Sequence, residues 1–200
     1  MRSIIAKYLL PLWLVLFSAL PAGAATILVF GDSLSAGYGL APGQGWVALL
    51  ARELAGRHQV INASVSGETT AGGLSRLPEA LSRHKPDLLI LELGANDGLR
   101  GLPLSAMRDN LQAMLDLARQ RKTQVLLVGM ALPPNYGPQY GGEFRAVYDG
   151  LARKNKVRYA PLLVAGFAAD LSSFQPDGLH PKASRQPDMM RTVKAAMPFK

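Results

Sequence analysis

Cysteine is missing from this 200-residue chain. That absence excludes disulfides, a thiol nucleophile, thiolate-bound zinc and lipid attachment through a cysteine. Histidine is scarce, three in all, and neither an H-E-x-x-H pair nor a carboxylate cluster accompanies it, so no metal is expected. No Walker loop or G-x-G-x-x-G follows the first apolar run, and no nucleotide cofactor is expected. The G-x-S-x-G elbow is absent too, which argues against an α/β-hydrolase-type lipase. No repeat period or low-complexity run stands out, setting solenoids and fibrous classes aside. The formal net charge is +8, but the basic residues are scattered (Arg52, Arg57, Arg76, Arg83, Lys85, Arg119 to Lys122, Arg153 to Lys156). Without an aromatic-interleaved basic stripe, no nucleic-acid partner is expected.

What is present fits one globular domain: 48% hydrophobic and 18% charged residues, with length enough to bury a core. The first 24 residues read differently. Arg2 and Lys7 make a basic start, Tyr8 to Leu20 form an apolar run, and Pro21-Ala22-Gly23-Ala24 supplies an A-x-A cleavage site. This is the layout of a secretory signal peptide. The run is short of the ~20 residues of a membrane-spanning helix, and no stop-transfer charges follow it. Residues 1–24 are thus expected to be a removed leader and 25–200 a single domain, exported to the periplasm or secreted. Loss of Arg2 and Lys7 lowers the charge from +8 to +6. A basic exported protein is drawn to anionic surfaces, so transient membrane-surface contact is expected of an otherwise monomeric chain.

Along the rest of the chain, short apolar runs alternate with helical patterns. Strands are expected over 27–30, 60–62, 87–93, 124–129 and, more weakly, 157–160. Helical spacing marks Trp46 to Leu54, Leu74 to Leu81, Leu104 to Ala118, Phe144 to Leu151 and residues 184–197. In the last of these, Met189, Met190, Val193 and Met197 should face inward. Strands apolar on both faces and separated by helices indicate a parallel sheet between helical layers, an α/β/α sandwich of mostly five strands. Ligands in such folds bind at the carboxyl ends of strands. The Pro/Gly-rich stretch Pro133-Pro134-Asn135-Tyr136-Gly137-Pro138 follows one such end.

Polar and glycine residues gather at the other ends: Gly31-Asp32-Ser33-Leu34-Ser35, then Asn62 through Thr69, then Gly94-Ala95-Asn96-Asp97-Gly98, and finally Asp177-Gly178-Leu179-His180-Pro181. In order and spread, these four segments resemble the blocks of the GDSL, or SGNH, hydrolases, whose lettered residues match Ser33, Gly67, Asn96 and His180. The wording GDSLSAGYG, NASVSGETT, ELGANDGLRG and LPPNYG is most similar to the secreted multifunctional thioesterase, lysophospholipase and arylesterase subgroup. PKASRQPDMM after His180 keeps the proline but departs from that pattern beyond it. The resemblance implies a flavodoxin-like SGNH fold and hydrolysis of acyl esters (aryl esters, thioesters or lysophospholipids). It also implies an oxyanion site built from the Ser33 and Gly67 backbone N–H groups and the Asn96 side chain.

The chemistry stands beside the resemblance. A serine hydroxyl needs an adjacent base, and His180 is the candidate because histidine is the side chain that titrates nearest neutral pH. Asp177, three residues earlier, can hold Nδ1–H while Nε2 faces Ser33. A serine after a strand is otherwise often a helix N-cap, a role open to Ser33 and Ser35. Asp32 is read as a loop carboxylate accepting backbone N–H bonds, and Asp97 as a turn former or brace. His58 and His84 are expected at the surface. The sequon Asn62-Ala63-Ser64 is set aside because it falls in a functional block. Leu132, Pro133, Asn135 and Tyr136 are expected to contact substrate, with 133–142 as a lid. A carbohydrate acetylesterase would share the same catalytic residues and differ in its pocket; the apolar loop 132–140 favours acyl chains. A receiver-like phosphoacceptor module would suit the fold class but not an exported chain.

Overall fold

The computed structural model describes residues 23–199, so the expected leader lies outside them except for Gly23 and Ala24. Successive strand residues point to opposite faces, so an unbroken apolar run is stable only when both faces are covered. β1 (Thr26–Gly31) and β3 (Leu88–Glu92) are such runs, and Ile27 to Phe30 and Leu88 to Leu91 are wholly inaccessible to solvent. With β2 (Gln59–Asn62), β4 (Gln124–Val128) and β5 (Arg158–Ala160) they make one five-stranded sheet, order β2-β1-β3-β4-β5. Every pairing is parallel.

Helices cover both faces. α3 (Thr70–His84), α5 (Leu104–Gln120) and α6 (Pro138–Asn155) pack together on one side; α2 (Trp46–Glu53) and α7 (Gln186–Ala196) pack against each other on the other. The expected α/β/α sandwich is the fold found. Two one-turn helices, α1 (Ser33–Ala36) and α4 (Ala95–Leu99), escape the periodicity because each is too short to show one. In α7, Met189 and Val193 are fully buried and Met190 is half-buried; Met197, which caps its end, is nearly buried.

Three expectations need correction. Residues 138–142 are not loop: α6 starts at Pro138, whose fixed φ suits the first turn of a helix. What precedes it is a short connection with a 3-10 turn over Pro134–Tyr136. The two histidines are half-buried rather than exposed. His58 accepts the Ala25 N–H on Nδ1 at 3.1 Å and packs its ring on Phe199, while His84 ends α3.

The strand order places a change of direction between β1 and β3, since the chain leaves β1 toward one edge and resumes at β3 on the other side. A crevice opens where such connections diverge. α1 and α4 begin at the carboxyl ends of those two strands.

Candidate active site

The turn after β1 decides which side chain caps α1. Asp32 takes that place, its Oδ1 accepting the Leu34 N–H at 3.0 Å. The capping role considered for Ser33 is therefore filled, and the Ser33 hydroxyl is left for another partner. That partner is His180, whose Nε2 stands 2.8 Å from Ser33 Oγ across 147 residues of sequence. His180 Nδ1 lies 2.7 Å from Asp177 Oδ2. A carboxylate only accepts, so Nδ1 carries the proton and Nε2 accepts from the serine hydroxyl.

The 177–180 turn positions itself. Asp177 Oδ1 accepts the backbone N–H of Leu179 at 2.9 Å and of His180 at 3.0 Å, with Gly178 between them at φ 70°. Gln175 N–H donates to the His180 carbonyl at 2.7 Å, and Phe174 and Pro181 form an antiparallel bridge. Burial pushes the Asp177 carboxyl up, but the N–H groups of His180 and Leu179 and the imidazole pull it further down, leaving it below the ordinary carboxylate range. The Tyr38 ring lies against His180, centroids 4.6 Å apart.

Asn96, in the first turn of α4, donates from Nδ2 to Asp32 Oδ2 at 3.2 Å. The neighbouring Asp97 is a buried brace, as expected, accepting from Thr70 N–H at 2.8 Å and Thr70 Oγ at 2.6 Å. Gly67 sits in the exposed turn after β2 at φ 78°, and its carbonyl accepts from Arg100 at 2.9 Å. The Ser33 and Gly67 N–H groups have no acceptor among the described residues. Ser35 is buried and donates from Oγ to Glu92 Oε2 at 2.5 Å, a structural contact.

A cleft of about 430 Å³ opens beside Ser33, Asn96 and His180. Leu132 and Pro133 line it. Asn135 and Tyr136 do not: Asn135 is exposed, and Tyr136 turns its hydroxyl to the Leu99 carbonyl at 2.8 Å. The opposite wall, Leu162, Val164, Leu171 and Phe174, comes from the segment after β5, which the sequence reading overlooks. The signal available was the one used for Pro133: an apolar stretch following the carboxyl end of a strand.

No group of three or more metal-ligating side chains occurs among the described residues. Residues 29–184 match the model of the GDSL-like Lipase/Acylhydrolase family. The chain is 46% identical to Esterase TesA of Pseudomonas aeruginosa over 175 residues, 86% of this chain and 87% of that protein. It is 39% identical to Thioesterase 1/protease 1/lysophospholipase L1 of Escherichia coli over 88% of this chain and 85% of that one. Among solved structures it superposes on TesA with a TM-score of 0.84 at 45% identity, covering 86% of this chain and 98% of that one. The psychrotrophic esterase EstA from Pseudoalteromonas follows the same course with a TM-score of 0.81 at 35% identity, over 86% and 96% of the two chains.

Proposed function

Since this chain belongs to the GDSL-like lipase/acylhydrolase family, we propose that Ser33 is its nucleophile, His180 its general base and acid, and Asp177 the group that orients the imidazole. The chain is a hydrolase of acyl esters. The observation that carries the residue assignment is the unbroken hydrogen-bonded line Ser33–His180–Asp177, at 2.8 and 2.7 Å.

The steps follow from that line. Ser33 Oγ attacks the acyl carbon as its proton passes to His180 Nε2, and ionised Asp177 stabilises the imidazolium. The carbonyl oxygen becomes an oxyanion facing the Ser33 and Gly67 N–H groups and the Asn96 amide; one such donor lowers the barrier by ~3–4 kcal/mol. Collapse breaks the bond to the leaving oxygen or sulfur, which takes its proton from His180. Water, deprotonated by the same imidazole, then releases the acid from acyl-Ser33.

The substrate reading rests on the cleft. Its walls are largely aliphatic, and its polar lining (Asp32, Ser33, Asn96, His180) belongs to the reacting end. Such walls suit an acyl chain better than sugar hydroxyls, which need partners of their own. The names of the relatives, esterase, thioesterase and lysophospholipase, point the same way. Lysolipid and other lipid esters are the substrates proposed, with export through the N-terminal leader and transient contact with lipid surfaces. No helix among the described residues is long and apolar enough to cross a membrane.

The test has two parts. An organophosphorus probe should label Ser33 stoichiometrically, and Ser33→Ala should lower kcat by about 10⁴-fold or more. Full activity in Ser33→Ala would refute the assignment. Octanoyl esters should be cleaved faster than acetyl esters; a strong preference for acetyl would instead support the carbohydrate acetylesterase reading.

A further inference from the structure

β3 ends in an acid, Glu92, that is 0% exposed in an otherwise apolar strand. Its Oε2 accepts from Ser35 Oγ at 2.5 Å and from the Asp32 N–H at 3.3 Å. Its Oε1 meets no donor among the described residues. A Cβ on Gly31, the residue paired with Glu92 across the sheet, would collide with this carboxyl group, so the strands close tightly around it.

An ionised carboxylate with one oxygen unserved is costly in such a place. A neutral acid is not, because protonated Oε1 becomes a donor. The neighbouring acceptor is the carboxylate of Asp32, a residue 1% exposed whose N–H already donates to Glu92 Oε2 and whose charge acts on Glu92. Asp32 already takes Leu34 N–H on Oδ1 and Asn96 Nδ2 on Oδ2.

We propose that Glu92 is a positioning residue: as a neutral acid it donates to Asp32, and the Glu92–Asp32 unit holds the Asn96 amide in the direction the oxyanion requires. This rests on the reading of Asn96 as an oxyanion donor. With one N–H committed to Asp32, the amide cannot flip, and the other N–H has a fixed direction. The unit carries a single negative charge. Burial first, then the charge of Asp32, pushes Glu92 well above the ordinary carboxylate range. Burial also raises Asp32, to about 6, with the Leu34 N–H, Glu92, the charge of His180 and the Asn96 amide pulling back. Both Asp32 oxygens already accept hydrogen bonds whereas Glu92 Oε1 accepts none, so Asp32 is the member suited to carry the charge and Glu92 the proton. The other titratable groups facing them are His180, which acts on Asp32, and Tyr148 of α6, whose hydroxyl donates to the Leu93 carbonyl at 2.9 Å; Asp97 of α4 acts on Tyr148 and is occupied by Thr70.

Three measurements on the mature enzyme decide it. Infrared difference spectra at neutral pH should show a buried protonated carboxyl C=O stretch that Glu92→Gln abolishes; its absence from the parent overturns the proposal without any stability concern. Glu92→Leu should lower kcat roughly 10- to 100-fold, less than outright loss of a donor, with KM little changed. Glu92→Gln, which keeps an acceptor for Ser35 and a donor for Asp32, should recover most of that rate. A Gln variant as slow as the Leu variant, or a Leu variant at parental kcat, overturns it. Finally, Glu92→Leu should add nothing to Asn96→Ala; additive losses would mean that Glu92 acts elsewhere. If Asn96→Ala alone keeps full kcat, the oxyanion reading fails and takes this one with it, whereas loss in Asn96→Ala with additivity sinks only the role of Glu92.

Discussion

At the scale of single residues, the site is built from groups that each have one contact left over. Asn96 has two N–H bonds and spends one on Asp32 at 3.2 Å. Ser33 N–H and Gly67 N–H are unspent among the described residues. Spare donors held rigidly cost no reorganisation when charge develops, so under the proposed oxyanion role they would act on the transition state more than on the bound ester. Asn96→Ala should accordingly lower kcat by about 10²- to 10³-fold with KM nearly unchanged. Steady-state kinetics on a soluble p-nitrophenyl ester would measure it, and a rise in KM alone would make Asn96 a ground-state contact. Ser33, Asn96, Asp177 and His180 are legible in the sequence as candidates because their order along the chain is characteristic. Glu92 is not, since in DLLILEL it looks like the polar end of a buried strand; only the coordinates reveal that its Oε1 has no donor.

At the scale of elements, the cleft has two walls with different origins. One follows β4 and carries Leu132 and Pro133; the other follows β5 and carries Leu162, Val164, Leu171 and Phe174. Val164 is half-buried and faces the cleft, so Val164→Phe should shorten the space for an acyl chain while leaving the reacting end intact. The expected result is a lower octanoyl-to-acetyl rate ratio, by several-fold, read from kcat/KM on an ester series. An unchanged ratio would put the chain elsewhere. The strands were legible because unbroken apolar runs leave one solution, a sheet covered on both faces. The start of α6 was not. Pro138, Gly141 and Gly142 have loop composition, yet Gly141 is buried and Tyr140 bonds the Gly98 carbonyl at 3.3 Å, so tertiary contacts outweigh weak helix propensity. The segment after β5 has no helical or strand period, so only its apolar composition after a strand's carboxyl end marks it.

At the scale of the molecule, its exposed apolar groups and part of its charge lie at opposite ends. The large hydrophobic residues that remain exposed among those described are Tyr38, Val65, Leu102, Leu171 and Leu179, all in connections that follow the carboxyl ends of strands. At the other edge of the sheet, Arg119, Lys156 and Arg158 surround a shallow hollow beside the starts of β4 and β5. Contact with a lipid surface through the apolar rim would bring the cleft to its substrate, whereas contact through that basic hollow would turn the cleft away. Leu102 stands on the rim and does not line the cleft. Leu102→Asp should slow hydrolysis of micellar lysophospholipid several-fold and leave soluble short-chain esters unaffected. Equal effects on both would argue against a rim that meets lipid.

The 177–180 turn carries one further consequence. It is held by its own backbone, while the serine it serves lies 147 residues earlier. Ser33, the proposed nucleophile, and the Asn96 amide precede the α6–β5 connection; His180, Asp177 and one wall of the cleft follow it. A chain severed there would yield two pieces, neither holding a complete reaction centre. Ester cleavage would then behave as a logical AND of the two fragments, a colour signal that their reunion alone switches on.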